Sequence, residues 1–505
     1  MDIIKTLQER INTDADKPAI IFRGGQISFK ELITKVYSLA DSLAKIGVKN
    51  SDKVAIYLPN CPEYFISYLA AWCMGLAVVP LDYMLTEDEL NSCIGHSEAK
   101  VLIARQKPVI SLNNIKSRNT KLTHIIVSNP SDSGFLKFDD MCVTYKAGPK
   151  KAYSEKDYAI IFYTSGTTGK PKGVLINYRQ LGAPVQSMSF FTDLNDKDIA
   201  LCALPFSHLG GLIYILNCVS FGITVVLMER FSPLEFLKNI EAFKVSCFWI
   251  VPSMYYAFLQ LKEFENIDLS SLRWIVTFGA SNSPEALRRF HKYCPSAYIL
   301  NGWGLTETNA PTTVLPMGSN KIESVGRPAP WIEVKIFSAE GLDTPDKELP
   351  RGEIGEIVVK SWVVTDGYYK DENLTLQTIR NGWFHTGDLG RFDDDGHLYI
   401  VGRKKEMIKV GGEIVFEPEV ESVIYSHPDV SEAAVIGVSD KLRGEVPKAF
   451  IVLKEGRQLS EEDIRFFLRQ HLAHFKIPHY FEYKESLPKN RTGKIDKEAL
   501  RTGSY

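Results

Sequence analysis

Apolar and polar positions along the first third of the chain switch between two periods. Residues 18–33 predict two strands around Gly24-Gly25 and then a helix start. From Ser28 to about Ile46 apolar residues recur at 32, 33, 36, 39, 40, 43 and 46, a helical spacing. Residues 54–58 predict a short strand. Cys61 to Met74 predict an apolar helix opened by Pro62 and ended by Gly75, and residues 77–80 the next strand. This β-α-β alternation implies an α/β fold with doubly wound sheets. It continues through 100–128 and 199–300, whereas residues 107–120 and 129–156 read as polar, irregular surface connections.

After about residue 325 short strands with turn signals take over, at 333–337, 355–360 and 397–401, predicting a small β-rich subdomain. Beyond it lies a compact α+β pattern: helix 417–425, strands 432–438 and 447–453, helix 460–472. A polar loop at 488–494 then precedes a short helix. The expected organisation is an N-terminal domain 1–402, with the β-rich subdomain at about 325–402, and a small C-terminal α+β domain 403–505. A length of 505 residues itself argues for more than one core.

Between an apolar run at 158–163 and another at 174–176, the ten residues 164–173 hold three glycines, one proline, two lysines and four hydroxyl side chains. That predicts a strand, a glycine-rich loop and a strand. Glycines let backbone N–H groups approach an anion, and hydroxyls and lysines add donors and charge. A plain hairpin needs neither lysine. A Walker A loop is excluded, because Gly166 and Gly169 are three apart and Pro171 follows Lys170 where Ser or Thr should stand. A net charge of −2 gives no basic field for nucleic acid, so anionic ligands must be held by local sites. The eight cysteines form no CxxC pair and read as reduced core residues of a cytoplasmic protein. The segment between Asp198 and Glu229 carries no charge, but Pro205, His208, Asn217 and three glycines interrupt it. No transmembrane span is expected, and peripheral membrane contact stays open.

Further segments carry candidate chemistry. His208 stands beside Gly210-Gly211. Thr277-Phe-Gly-Ala-Ser281 ends a strand, where α/β sheets bind ligands. Asn301-Gly-Trp-Gly-Leu-Thr-Glu-Thr308 offers an aromatic face and a carboxylate, His385-Thr-Gly-Asp388 a second carboxylate on an expected turn, and Gly402-Arg-Lys-Lys405 a basic linker. Gly411-Gly412 and Lys494 follow. In order and combination, from about residue 18 to 500, these motifs resemble the adenylate-forming superfamily of acyl-CoA synthetases, peptide-synthetase adenylation domains and luciferases.

The resemblance implies a role for each position. Thr164, Ser165, Gly166, Thr167, Thr168, Gly169, Lys170 and Lys172 would cradle the ATP phosphates. Gly279, Ala280, Ser281, Trp303, Gly304 and Thr306 would face the adenine side, and Asp388 and Arg403 the ribose or phosphate. Glu307 would partner Mg²⁺. Thr164, Glu307 and Lys494 are the catalytic candidates, Lys494 as the adenylation lysine. His208, Gly210, Gly211, Gly302 and Trp303 would line the acyl pocket, Lys405 would be the hinge of a mobile C-terminal lid domain, and Gly411 and Gly412 would face CoA. The family commonly has Tyr at position 303, so Trp303 is a departure.

The implied reaction activates a carboxylic acid as an acyl-adenylate with ATP, then passes the acyl group to CoA. Residues 209–212, 248–258, 278, 303 and 310–315 are mostly apolar and aromatic, which favours a medium- or long-chain fatty acid. An aryl-acid CoA ligase, an acyl-AMP ligase loading a carrier protein and an inactive ATP-binding protein are the alternatives, with a monomer or homodimer equally open.

Overall fold

The computed structural model describes residues 1–128, 134–145, 148–149, 153–164, 171–279, 282–309, 311–338, 347–411, 413–489 and 495–503. Among the described residues the strands form four sheets. Parallel strands Val101–Arg105, Lys53–Tyr57 and Ala77–Pro80 lie side by side at the centre of a seven-stranded sheet. It closes on the antiparallel hairpin Tyr158–Thr164 and Lys172–Asn177. A nine-stranded sheet runs through parallel strands Thr224–Leu227, Ile199–Cys202, Cys247–Ile250, Trp274–Thr277 and Tyr298–Trp303. Helices pack between and around the sheets. Pro62–Cys73 is buried almost all round, as its unbroken apolar sequence demands. Its Tyr68 hydroxyl donates to the Phe206 carbonyl at 2.9 Å, which ties one sheet's helix to the other sheet's loop. The helix Phe29–Lys45 begins at Ser28, where a reciprocal Ser28–Glu31 capping box satisfies the free N–H groups.

The uncharged segment after Asp198 is a strand, the thirteen-residue helix Leu209–Phe221 and a strand. No described helix is long and apolar enough to cross a membrane. All eight cysteines are buried and free.

Two local expectations need correction. The helix Leu112–Arg118, capped by the Ser111 hydroxyl, occupies part of the stretch expected to be irregular. Thr386-Gly387-Asp388 is not an isolated turn. It lies inside the ten-residue strand Trp383–Phe392, between Gly355–Lys360 and Leu398–Arg403 in the five-stranded sheet of the β-rich region. Gly387 at φ 71° and a register shift after Leu389 break the alternation that would have marked a strand.

The remaining sheet joins Met407–Val410 and Glu413–Phe416 to the long ladder Val430–Asp440 with Gly444–Leu453, and Tyr480–Lys484 adds in parallel. The helix Glu417–Ser426 packs on it. The buried Glu417 receives Lys497 at 2.9 Å and Arg501 at 2.8 Å from the terminal helix Lys497–Thr502. Lys497 also reaches Glu421 at 2.7 Å. Carboxylates buried this way persist only with such partners.

Candidate active site

The glycine-rich hairpin is closed at its base by the pairing of Thr164 with Lys172. Its return strand is held from the far side by the segment 365–369. Leu175 N–H donates to the Gly367 carbonyl at 3.1 Å, and Tyr369 N–H to the Gly173 carbonyl at 2.7 Å. Gly173 has no spare room, because a Cβ there would press on Ile161 and Tyr369. The same segment turns Tyr368 toward Glu307, whose Oε1 accepts the phenol at 3.0 Å. Thr365 N–H donates to the Glu307 carbonyl at 2.7 Å. The loop's base and Glu307 are therefore fixed to one backbone segment. Burial pushes the Glu307 carboxyl up from its ordinary value against the Tyr368 hydrogen bond and the Arg403 charge. With one carboxylate oxygen held by Tyr368, half-buried Glu307 keeps the other as an oxygen that could ligate a divalent cation.

Asp388 collects the next group. Its Oδ2 accepts the Trp303 indole N–H at 2.8 Å, and its Oδ1 lies 3.0 Å from Arg403 Nε. Asp388 and Arg403 are direct neighbours across the ladder. The Thr386 hydroxyl accepts Asp388 N–H at 3.0 Å and donates to the Ile357 carbonyl at 2.7 Å, so the bulge is pinned. Trp303 lies on the strand Tyr298–Trp303 rather than on a loop after it, and it is 7% exposed. Its polar edge is committed to Asp388. Glu356, one strand over, accepts Gly387 N–H at 3.1 Å and lies 3.6 Å from Lys404, immediately before the expected hinge residue Lys405. Lys405 sits in the 3₁₀ turn Lys404–Glu406 that follows Arg403.

At the strand ends, Asn282 forms a polar knot. Its carbonyl accepts the Thr277 hydroxyl at 2.9 Å and the Tyr255 phenol at 3.0 Å, and its amide donates to Asn301 at 2.8 Å. Gly279 has φ 90°, a turn only glycine makes without strain. Tyr256 accepts Ser283 N–H, and its ring packs on Tyr425 of the C-terminal unit at 4.8 Å between centroids. Gly304 and Thr306 are half-buried beside Glu307.

Of the expected pocket residues, His208 starts the helix Leu209–Phe221 and contacts Asp82 at 3.4 Å. A Cβ at Gly210 would meet Leu204 and the Phe278 ring at 3.2 Å, so this glycine faces the expected pocket wall. Gly211 does not. A Cβ there would overlap the Pro205 carbonyl, so its smallness serves close backbone packing. Gly302 likewise faces the Thr313 carbonyl at 3.2 Å and Val314 at 3.4 Å. Phe248, Trp249, Tyr255 and Phe258 are buried against one another's neighbours, with ring contacts to Phe236, Tyr214, Trp274 and Phe290.

Ser165, Gly166, Thr167, Thr168, Gly169, Lys170, Ala280, Ser281, Gly412 and Lys494 lie outside the described residues. Gly411 has φ 60° with open space on its Cβ side. Lys489 and Ile495, which flank the segment 490–494, pair with each other, and Lys489 reaches Glu432 at 2.7 Å. Tyr368, Asn282 and Glu356 were missed from sequence. A tyrosine after Asp366-Gly367 and a lone asparagine carry no spacing signal, and Glu356 sits in an apolar strand. A separate cluster of Asp393, Asp395 and His397 has metal-like spacing, but Lys321 already bridges both aspartates at 2.6 and 2.5 Å.

Two family models match the chain: "AMP-binding enzyme" over residues 7–369 and "AMP-binding enzyme C-terminal domain" over residues 419–494. A long-chain-fatty-acid–CoA ligase of Bacillus subtilis is 31% identical, over 98% of this chain and 94% of the relative. A 2-succinylbenzoate–CoA ligase of Bacillus licheniformis is 32% identical, over 99% and 100%. Among solved structures, an anthranilate CoA ligase in complex with anthranoyl-AMP superposes with a TM-score of 0.93 at 27% identity, covering 100% of this chain and 97% of that one. ATP-bound MatB from Rhodopseudomonas palustris superposes at 0.91 with 28% identity, over 99% and 98%. The chain belongs to the AMP-binding enzyme family. Its activity class is that of the AMP-forming acid–thiol ligases: ATP-dependent joining of an acyl or aryl acid to CoA through an acyl-AMP.

Burial alone would raise the Glu356 carboxyl, but His385, Lys404 and Gly387 N–H outweigh it and hold the group below its ordinary value of 4.5. A depressed carboxyl stabilises the fold above its unfolded value and loses that contribution as pH falls below about 4.5. Glu356→Gln is expected to destabilise the protein by about 1–3 kcal/mol at neutral pH, with the gap to wild type closing below that point. Urea denaturation across pH 3–7 measures it, and a gap that does not vary with pH removes the ionised carboxylate from the account.

Proposed function

We propose that the enzyme activates an acid whose tail is apolar and carries no second charge, and that the residues above divide the two half-reactions between them. The tail assignment rests on one observation: the wall Gly210 faces is made of Leu204 and Phe278. A medium- or long-chain fatty acid is the first reading. The burial of Phe248, Trp249, Tyr255 and Phe258 in ring-to-ring contacts favours a second, an aryl acid. Much of the apolar length that suggested a long tail is spent in the core.

A carboxylate is a poor acyl donor because its oxygen does not leave. In the first half-reaction the carboxylate oxygen attacks the α-phosphorus of ATP, and the bond to pyrophosphate breaks. Two anions must meet, so the site has to gather positive charge and donors. The loop 164–173 with Lys170 and Lys172 would hold the phosphates, Asp388 with Arg403 the ribose, and Lys494 the charge that develops at phosphorus. Glu307 would hold magnesium, which would supply further positive charge. In the second half-reaction the CoA sulfur attacks the acyl carbon, its proton is lost, and AMP departs. The C-terminal unit would turn about Lys405, withdrawing Lys494 and presenting Gly411 and Gly412 to the thiol arm.

The substrate reading is tested with a panel of fatty and aryl acids, following acid-dependent ATP–pyrophosphate exchange and then CoA-dependent AMP release. Gly210→Val is expected to reject the bulkiest accepted acids by roughly tenfold or more while sparing the smallest, since its side chain enters against Phe278. Gly211→Ala is the contrast: a lower melting temperature with the acid profile unchanged. Identical profiles for wild type and Gly210→Val move the pocket elsewhere.

Trp303→Phe keeps the ring and loses the N–H that holds Asp388. The loss of a hydrogen bond to a charged group is about 1.5–3 kcal/mol, so KM for ATP is expected to rise roughly ten- to hundredfold. An unchanged KM in the folded variant detaches Trp303 from nucleotide binding. Lys494→Ala is expected to slow acyl-adenylate formation by roughly 10²-fold. Supplied with ready-made acyl-adenylate and CoA, that variant is expected to form thioester at a near wild-type rate. Equal damage to both single-turnover rates favours one fixed arrangement.

A further inference from the structure

The glycine-rich hairpin closes at the pair Thr164–Lys172, and the rung directly beneath pairs Tyr163 with Gly173. Whatever fixes that rung fixes where both legs of the loop 164–173 leave the sheet. The return leg is held at Gly173 by the Tyr369 N–H. The outgoing leg is held at Tyr163 from another direction, by the helix Glu87–Ser97. That helix opens with a reciprocal Thr86–Glu89 capping box, and it packs Leu90, Cys93 and Ile94 on the seven-stranded sheet beside Ile161 and Leu175 of the hairpin. Its last turn presents His96, whose Nδ1 is hydrogen-bonded to the Tyr163 hydroxyl at 2.8 Å.

His96 also meets the return leg. Its ring stands edge-on to Tyr369, at 5.5 Å between centroids and 89° between planes. A Cβ on Gly173 would come within 3.2 Å of Tyr369 Cβ and 3.4 Å of the Tyr163 ring, so the two tyrosines and the glycine backbone already fill one another's space. One histidine thus touches the holder of each leg, one rung below the loop.

The end of the helix is clipped to the same segment as the return leg. Glu98, which ends the helix, and Lys370, next to Tyr369, both have φ 57°, a left-handed conformation uncommon outside glycine. The two meet: Lys370 Nζ lies 3.2 Å from Glu98 Oε1 and donates to the His96 carbonyl at 3.1 Å. A cation on the last carbonyls of a helix also meets the negative end of its dipole. Backbone strain persists where the surroundings over-determine it, and it gathers at functional sites. Burial and the charge of Lys370 push the His96 pKa below its ordinary value, against Asp371 and Glu98. The ring is therefore neutral near neutral pH and adds no charge beside Lys370.

We propose that His96 is a positioning residue of the phosphate loop: by gripping Tyr163 and Tyr369 together it fixes the rung from which residues 164–173 depart, and so tunes the affinity for the β- and γ-phosphates of ATP. The inference rests on the reading of that loop as the ATP cradle. Wild type, His96→Ala, Tyr163→Phe and the double variant are compared in two single-turnover reactions. One is acyl-adenylate formation at varied ATP. The other is thioester formation from ready-made acyl-adenylate and CoA, where the adenylate has lost its β- and γ-phosphates. Losing the hydrogen bond is expected to raise the ATP concentration for half-maximal rate roughly three- to tenfold in each single variant, while the thioester rate stays within about twofold of wild type. Both substitutions cut the same contact, so the double variant is expected to be little worse than His96→Ala instead of showing the product of the two losses. Unchanged ATP dependence in both single variants overturns the role, and so does an equal loss in both reactions, which marks general damage to the fold. Lys172→Ala reports on the cradle itself: if that variant also keeps the wild-type ATP dependence, the phosphate reading falls first and this role with it.

Discussion

Asp388 cannot be moved without disturbing three parts of the molecule. One carboxylate oxygen takes the indole N–H of Trp303, from the last parallel strand of the nine-stranded sheet. The other faces Arg403, the last residue of the strand Leu398–Arg403. A buried carboxylate is costly unless its oxygens are occupied, and here each oxygen is occupied by a different structural unit. The acid therefore acts as a joint: it sets the β-rich region against the large sheet and holds Arg403 at the end of the strand Leu398–Arg403. Glu356 repeats the device one strand away with Gly387 and Lys404.

The large layers were legible because their strands are short, apolar and separated by helices of clear period. The hairpin Tyr158–Thr164 with Lys172–Asn177 and the capped helix at Ser28 lie where the pattern places them. What escaped was structure whose cause is not periodic. Trp383–Phe392 is a strand held by two neighbours, yet Gly387 and Gly390 interrupt its pattern. Gly210 and Gly211 are indistinguishable in sequence, and only the packing separates a glycine facing Phe278 from one pressed on Pro205. The aromatic run at 248–258 has the composition of a ligand pocket and mostly the burial of a core. Composition alone cannot tell the two apart, since both exclude water.

Relatives that act on fatty, succinylbenzoyl and anthranoyl acids lie at about the same distance from this chain. That fits the proposed division, in which the nucleotide chemistry and the acid pocket rest on different supports. The groups around Glu307 and Asp388 are tied by backbone and charge to several strands. The proposed pocket wall at Gly210 is made of the Leu204 and Phe278 side chains, which can change volume without breaking a buried hydrogen bond. Selection on the acid can thus proceed while the phosphorus chemistry stays intact.

The grip of Glu417 on Lys497 and Arg501 has a mechanical consequence. Lys494 stands three residues before Lys497, and Glu417 begins the helix that carries Tyr425. The terminal helix Lys497–Thr502 is thereby bolted to the helix that rests against Tyr256. A torque that slides Tyr425 off its aromatic seat would carry the terminal helix with it rather than be absorbed as bending. The two helices are geared through Glu417: neither turns without the other.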